Sequence, residues 1–229
     1  MEQEPIRDAV RRTTQQTLRR DRAVPTVVRL VTEAFHHTTA VVERFPERAR
    51  LACASGCAFC CYHPVDITPP EAFAIVAYLQ TTLPAAAREA TYGRIAAQAE
   101  RIRGLSYEEH AQARIPCALL VDGQCTVYSC RPFACRAWNS TSAAECETIF
   151  THGNPVTRLP PLDMQTYEAV WDVARGMTEG LQQCRLDGTA YELHSIIQRV
   201  WDTPEAARRW TQGEAVFAGC LVGAFTTPS

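Results

Sequence analysis

The sequence predicts a mainly α-helical fold with a small irregular or hairpin element that is rich in cysteine. Three observations favour this fold class. Apolar side chains recur every three or four residues over several stretches, as they do along one face of an α-helix. Serine or threonine followed three residues later by glutamate marks several helix starts. Eight of the eleven cysteines fall in two short windows, residues 53–61 and 117–135.

Length and composition favour one helical domain over residues 1–229. A chain of this length can bury one sizeable core, and its 46% hydrophobic and 21% charged residues are typical of a globular protein. Within that single domain we expect a cysteine-cluster metal-binding region at about 50–140 and a helical C-terminal part at about 160–220.

The chain begins with one weak and one strong helical pattern. Residues 1–22 have a faint apolar stripe and form either a helix or a loose arm. The stripe is strong over residues 26–45, and Pro46 is expected to limit that helix. His36 and His37 lie inside it. Because adjacent helix positions face different ways, we interpret this pair as surface or half-buried side chains rather than as ligands.

Three helices are predicted between the two cysteine windows, over residues 69–80, 84–103 and 106–116. The first and third begin with a capping box, formed by Thr68 with Glu71 and by Ser106 with Glu109. The second opens at Pro84 and is stopped by Gly104.

The second cysteine window is predicted to open with a β-hairpin. Residues 118–121 and 125–128 flank Asp122-Gly123, a pair that favours a tight two-residue turn. The hairpin is expected to bring Cys117 close to Cys125.

Helices are predicted again beyond the hairpin. A short one carries Cys135, and a second, capped by Ser142, carries Cys146; a proline-rich loop follows at 152–161. Apolar stripes then predict helices over residues 164–181, 193–200 and 203–210. We interpret Cys184 and Cys220, which fall in this part, as small buried hydrophobic side chains rather than as ligands.

Composition weighs against several classes of function. A formal charge of −2 gives no general attraction for nucleic acid, and no stretch reaches the roughly 18 apolar residues that span a membrane, so neither partner is expected. All 23 basic residues are arginine, which excludes lysine Schiff-base chemistry and a Walker-type phosphate loop. The charged start lacks the apolar core of a secretory signal, and we expect a cytoplasmic protein.

The clustered cysteines predict a metal site. Cytosolic thiols are kept reduced, and clustered ones are more often ligands or redox groups than disulfides. Thiolates suit Zn²⁺ and the irons of iron–sulfur clusters, which take four ligands in a tetrahedral array. Cys57 and Cys60 form a C-x-x-C pair, a spacing that brings two sulfurs to one metal. Four further cysteines join them in one predicted site: Cys53, Cys117, Cys125 and Cys135.

Adjacent Cys60 and Cys61 constrain that site. Side chains of neighbouring residues usually diverge and are poorly placed to chelate one tetrahedral ion, so we expect one of the two to take another role. It binds a second metal, bridges within a cluster site or remains a free thiol. The seven or eight thiols exceed the four that one zinc ion or one cubane cluster requires. Two zinc ions, or one cluster with spare cysteines, both fit the count.

The run CASGCAFCC at 53–61, the later Cys117 and Cys125, and the segment TVYSCRPFACR resemble the YkgJ-type cysteine-cluster family of zinc- or iron-chelating domains. The resemblance covers roughly residues 50–140. It implies the metal ligands Cys53, Cys57, Cys60, Cys61, Cys117, Cys125 and Cys135, with Arg131, Pro132 and Arg136 beside them. Cys130 is additional to the family pattern.

Two functions stay open from the sequence. The first is an iron–sulfur protein with a [4Fe–4S] cluster, in which Arg131 and Arg136 stabilise the reduced cluster or hold an anionic substrate. Each arginine has the alternative of pairing with a carboxylate or capping a helix. If one iron is open, we expect an enzyme that acts on a small anionic molecule or a side chain.

The second function is a structural zinc protein that acts as an interaction module for a protein partner. The resemblance and the surplus of thiols favour the first function. His63, two residues after Cys61, is the best non-cysteine candidate for a ligand or a proton carrier.

Overall fold

The computed structural model describes residues 4–45, 48–152 and 157–221. Pro46 and part of the predicted loop at 152–161 lie outside the described residues. Ten α-helices fall in these ranges, which confirms the mainly α fold class. They are α1 Ile6–Arg20, α2 Val24–Glu43, α3 Pro69–Thr82, α4 Ala85–Ile102, α5 Tyr107–Ala113, α6 Phe133–Ala137, α7 Ala143–His152, α8 Met164–Gln183, α9 Leu193–Asp202 and α10 Ala206–Thr211.

Two small antiparallel sheets accompany the helices. The predicted hairpin is confirmed in shorter form, as β2 Leu120–Val121 and β3 Gln124–Cys125. The two turn residues have φ values of 50° and 74°, the left-handed backbone that a two-residue turn of this kind requires. The second sheet was not predicted. It pairs β1 Asp66–Ile67 with β4 Tyr191–Glu192, which brings the end of the first cysteine window beside the start of α9.

The N-terminal helix packs along α8, so the helical alternative for the start of the chain is the correct one. Small residues in α8 permit the close approach. A Cβ atom added at Gly180 would lie 2.5 Å from Cβ of Thr14, and one at Gly176 would overlap the backbone of Arg7. The two helices therefore touch almost backbone to backbone, and α1 is an integral part of the fold.

One hydrophobic core connects the helices. It extends from Leu18 in α1 to Trp210 in α10 and includes the fully buried Phe35 of α2 and Leu79 of α3. The apolar stripes predicted these interior faces. Met164 is an exception, because it lies in the first turn of α8, beyond the core, and is 55% exposed.

The start of α3 is tied to the start of α6. Both predicted capping boxes are present, and in the first of them Glu71 Oε2 accepts from the Thr68 backbone N–H at 2.8 Å. The other carboxylate oxygen, Oε1, accepts from the backbone N–H of Phe133 at 2.9 Å. This buried carboxylate thus fixes the helix that carries Cys135. Over the described residues, no helix is both long enough and apolar enough to cross a bilayer.

Candidate metal centre

The first cysteine window is a tight turn followed by a short 3-10 helix. Gly56 has a φ of 92°, a conformation that favours glycine, and the backbone N–H of Cys57 donates to the carbonyl of Ala54 at 3.1 Å. The 3-10 helix Phe59–Tyr62 then carries Cys60 and Cys61. The turn and the helix together present four half-buried thiols.

Backbone hydrogen bonds join the two windows. The N–H of Cys117 donates to the carbonyl of Cys61 at 2.8 Å, and the N–H of Ala52 donates to the carbonyl of Ser140, also at 2.8 Å. These bonds need no metal. The convergence of the two windows is therefore built into the polypeptide.

Cys135 belongs to a group of thiols drawn from both windows. Burial raises the pKa of its thiol well above the ordinary value. Charges on three neighbouring thiols raise the pKa further, and these are Cys60, Cys117 and Cys125. Burial likewise raises the pKa of Cys125 to about 11. We name Cys60, Cys117, Cys125 and Cys135 the central thiol group.

A second group of thiols lies near Cys60 on the side of the first window. Burial raises the pKa of Cys53, and thiol charges that add to the effect come from Cys60, Cys57 and Cys146. Ser140 connects two members, because its backbone N–H donates to Cys53 Sγ at 3.2 Å and its side chain hydrogen-bonds Cys146. We name Cys53, Cys57 and Cys146 the peripheral thiol group.

Cys146 was not among the predicted ligands. Its helix, α7, packs against the 3-10 helix of the first window, where the ring of Phe150 lies 4.7 Å from that of Tyr62. This long-range packing brings the thiol to the site. The only sequence signal was its position shortly after the second window.

The thiols are chemically suited to a soft metal, but their side chains are not arranged around a common point. All eleven cysteines are free, and thiolates match zinc and iron in charge and polarisability. Among the residues that the structure describes, no three histidine, cysteine or acidic side chains are already arranged to hold a metal ion. Metal binding by these groups therefore requires their side chains to reorient.

Four cysteines lie outside both groups, and three of them, Cys130, Cys184 and Cys220, are buried. Cys130, which is additional to the family pattern, is buried beside Arg136 and Glu71, and burial raises the pKa of its thiol to about 11. Cys184 and Cys220 are buried, as predicted, with their sulfur atoms against backbone carbonyl groups. These three act as parts of the core.

The guanidinium of Arg136 forms hydrogen bonds with the polypeptide around the second window. It donates to the backbone carbonyls of Arg131 at 2.7 Å and Ser129 at 2.6 Å. It also donates to Thr39 Oγ1 at 2.5 Å and stacks over the ring of Phe35. Burial lowers the pKa of Arg136 to about 10, so the group is still charged at neutral pH. Its predicted role toward a cofactor stays a prediction.

The charge of Arg131 acts on several members of the central thiol group. Its guanidinium carbon lies 4.2 Å from the centre of the Tyr128 ring. Burial dominates the pKa of Cys125 and of Cys135, and the positive charge of Arg131 opposes that increase in both. Its Nε atom is buried and has no hydrogen-bond partner within the described residues. Arg131 is therefore well placed to compensate thiolate charge.

A buried histidine–glutamate pair beside Cys117 was not predicted. His194 Nδ1 lies 2.7 Å from Glu192 Oε1, and the backbone N–H of Ala118 donates to His194 Nε2 at 3.1 Å. Burial opposes the protonation of His194, but hydrogen bonds to Cys117 and Glu192 outweigh it and raise the pKa of His194 to about 10. The pairing of β1 with β4 and the packing of α9 on α3 and α4 bring this pair to the second window, so no local sequence signal pointed to it.

A cavity of about 710 Å³ opens beside the central thiol group. Cys60 and Cys135 lie in its wall, and it extends past α8 to residues 186–190. Leu159 and Met164, which are 59% and 55% exposed, also line it and mark its mouth. The cavity thus connects the thiols with the surface.

His63 lines the same cavity, with its ring 5.7 Å from that of Trp138. Burial lowers the pKa of His63, and the charge of Arg114 lowers it further. The histidine is therefore neutral at neutral pH. Its predicted service as a ligand or proton carrier stays a prediction.

Residues 52–152 match the family model CxxCxxCC, which is described as "Putative zinc- or iron-chelating domain". The match confirms the resemblance that the cysteines, Arg131 and Arg136 indicated. No curated protein and no solved structure matches the chain. The family description supports metal binding by this region and names zinc and iron alike.

Proposed function

We propose that the chelating domain over residues 52–152 binds an iron–sulfur cluster of the [4Fe–4S] type. The observation that supports the proposal is the central thiol group, in which Cys135 is influenced by three thiols from the two windows. Four thiolates are the usual ligand set of such a cluster. We propose as ligands the four members of that group: Cys60, Cys117, Cys125 and Cys135.

The peripheral thiol group accounts for the surplus of cysteines. Cys53, Cys57 and Cys146 lie close enough to influence one another but take no part in the proposed ligand set. Cys61 hydrogen-bonds Cys60 and supplies another spare thiol. In this proposal these groups are reactive neighbours of the ligands.

When bound by four thiolates, a [4Fe–4S] cluster supplies one-electron redox chemistry. The protein's own residues prepare the ligands. The charge of Arg131 favours thiolates over thiols in the central group, and His194, whose pKa is raised to about 10 beside Glu192, offers Cys117 a positively charged hydrogen-bond partner. Because burial raises the pKa of Cys125 to about 11, metal uptake at neutral pH is expected to release a proton from it.

A second candidate function is structural zinc binding, in which the domain is an interaction module for a protein partner. The central group favours it, since its four thiols match one closed zinc site, and the three peripheral thiols are available to a second ion. Both functions are proposed for the cytoplasm, where thiols are kept reduced.

Elemental analysis and an absorption spectrum of protein purified without oxygen test the two functions. About four irons per chain with acid-labile sulfide and a brown colour support the cluster. Colourless protein with one or two zinc ions supports the second candidate and rejects the first.

Two variants test the ligand set. Cys135→Ser is expected to remove the iron, and Cys184→Ser, a matched change in the core, is expected to leave the iron in place. If Cys135→Ser retains the full iron and sulfide content, the proposed ligand set is wrong. In the zinc case, Cys135→Ser and Cys57→Ser are each expected to remove one ion of two.

A further inference from the structure

The cavity beside the thiols has a one-sided charge. The described residues that line it include three carboxylates and no arginine, and the carboxylates belong to Asp66, Glu71 and Asp187. The sequence-based expectation of an anionic substrate relied on Arg131 and Arg136, neither of which is among the lining residues. Carboxylates are therefore the formal charges that the lining presents.

The three carboxylates differ in their availability. Glu71 is fully buried, and both of its oxygens accept hydrogen bonds from the starts of α3 and α6. Asp187 is half-buried and belongs to the segment after α8 that lines the cavity. Its two oxygens accept from the Tyr191 hydroxyl at 2.8 Å and the Thr189 N–H at 2.9 Å. A carboxylate oxygen accepts more than one hydrogen bond, so Asp187 is able to contact a further donor.

Aromatic rings form much of the remaining wall. The ring centres of Tyr167 and Trp171 lie 6.1 Å apart, and Trp138 lines the cavity near the thiols. Aromatic faces attract cations and also bind hydrocarbon. The indole N–H of Trp171 is buried and has no hydrogen-bond partner among the described residues. This wall suits a ligand with an apolar body.

We propose that this cavity binds an organic cation, an amine carried on an apolar or aromatic body. Its positive group lies at Asp187, and its body extends along Trp171 towards Cys60 and Cys135. The expected preference for a cation depends only on the Asp187 carboxylate and the aromatic rings. Any contact of the ligand with a metal at Cys60 and Cys135 rests on the proposed function.

Three probes that share an indole ring test the charge preference: tryptamine, tryptophol and indole-3-propionate carry a positive, neutral and negative group. Calorimetric titration of the full-length protein, with metal content measured in the same samples, gives their affinities. Tryptamine is expected to bind at least about tenfold more tightly than indole-3-propionate, which corresponds to ~1.4 kcal/mol. Tryptophol is expected to lie between them.

Two variants locate the binding. Asp187→Asn is expected to weaken tryptamine binding about tenfold and to leave tryptophol binding unchanged. Asp8→Asn, the same change at an exposed side chain of α1 that does not line the cavity, is expected to alter neither. Ala174→Phe, which adds a ring at a lining position of α8, is expected to weaken all three probes. Because this variant keeps every carboxylate, it tests the cavity even if Asp187→Asn does not fold.

Several results would overturn the proposal. These are indole-3-propionate binding as tightly as tryptamine, no binding by any probe, or unchanged affinities in Ala174→Phe. Such results in protein that retains its metal reject this inference alone. Selective tryptamine binding by protein that contains neither iron nor zinc rejects the proposed function and leaves the cavity assignment standing.

Discussion

Arg136→Lys tests whether a buried guanidinium holds the second cysteine window in shape. Arg136 is 4% exposed and uses three different nitrogens to reach Arg131 O, Ser129 O and Thr39 Oγ1. A lysine keeps the charge but has one nitrogen, which is unable to reach three acceptors on different sides of a planar group. Losing two charge-assisted hydrogen bonds costs ~3–5 kcal/mol of the free energy of unfolding.

Urea unfolding of the reduced, metal-free protein, followed by far-ultraviolet circular dichroism, measures this loss. Arg103→Lys is the matched control, because Arg103 forms an exposed ion pair with Glu100 one turn away. We expect the control to change stability by less than about 0.5 kcal/mol. A loss of under about 1 kcal/mol in Arg136→Lys would show that the three hydrogen bonds do not hold the loop.

Four further perturbations have expected outcomes. Gly180→Ala places a Cβ 2.5 Å from Thr14 and should lower the free energy of unfolding by ~1–3 kcal/mol. Gly93→Ala, where a Cβ meets nothing, should raise it by ~0.5–1 kcal/mol in the same urea assay. Burial raises the pKa of Glu71 above its ordinary value of 4.5, so its ionisation costs the folded state more than the unfolded state. The contribution of protonated Glu71 to stability is complete below pH 4.5 and is lost as the pH rises through the raised pKa of Glu71. In Glu71→Gln, the free energy of unfolding measured in urea should not show this decrease over the same pH range. Chelation of the metal should speed proteolysis within residues 50–62 and 114–140 and leave the helical circular dichroism nearly unchanged, whereas global unfolding would show that the metal holds the whole core together.

Most helices were predictable because their signals are local. A capping box needs only residues three apart, and those at Thr68 and Ser106 form as expected. The hairpin turn depends on the two residues Asp122 and Gly123, whose side chains and backbone favour positive φ. In each case the residues that start the helix or form the turn lie within that helix or turn.

The environment of the thiols was less predictable because it depends on distant parts of the chain. Glu192 and His194 reach Cys117 through the pairing of two-residue strands far apart in sequence. Such short strands have no periodic pattern to reveal them. Cys146 reaches the peripheral group through the packing of α7, and the cavity depends on where α8 crosses α6. These features follow from tertiary packing.

Buried charge is concentrated around the cysteine windows. Glu71, Arg136, Glu192 and His194 are each at most 5% exposed. Glu71, Arg136 and His194 hydrogen-bond the second window, and Glu192 is hydrogen-bonded to His194. Burying charged groups is costly, and apolar replacements of similar volume often stabilise a fold equally well. Their use here is therefore better explained by the positions that they impose on the backbone. We infer that the chain fixes the path of its cysteine loops by itself, so that a metal has only to draw side chains together.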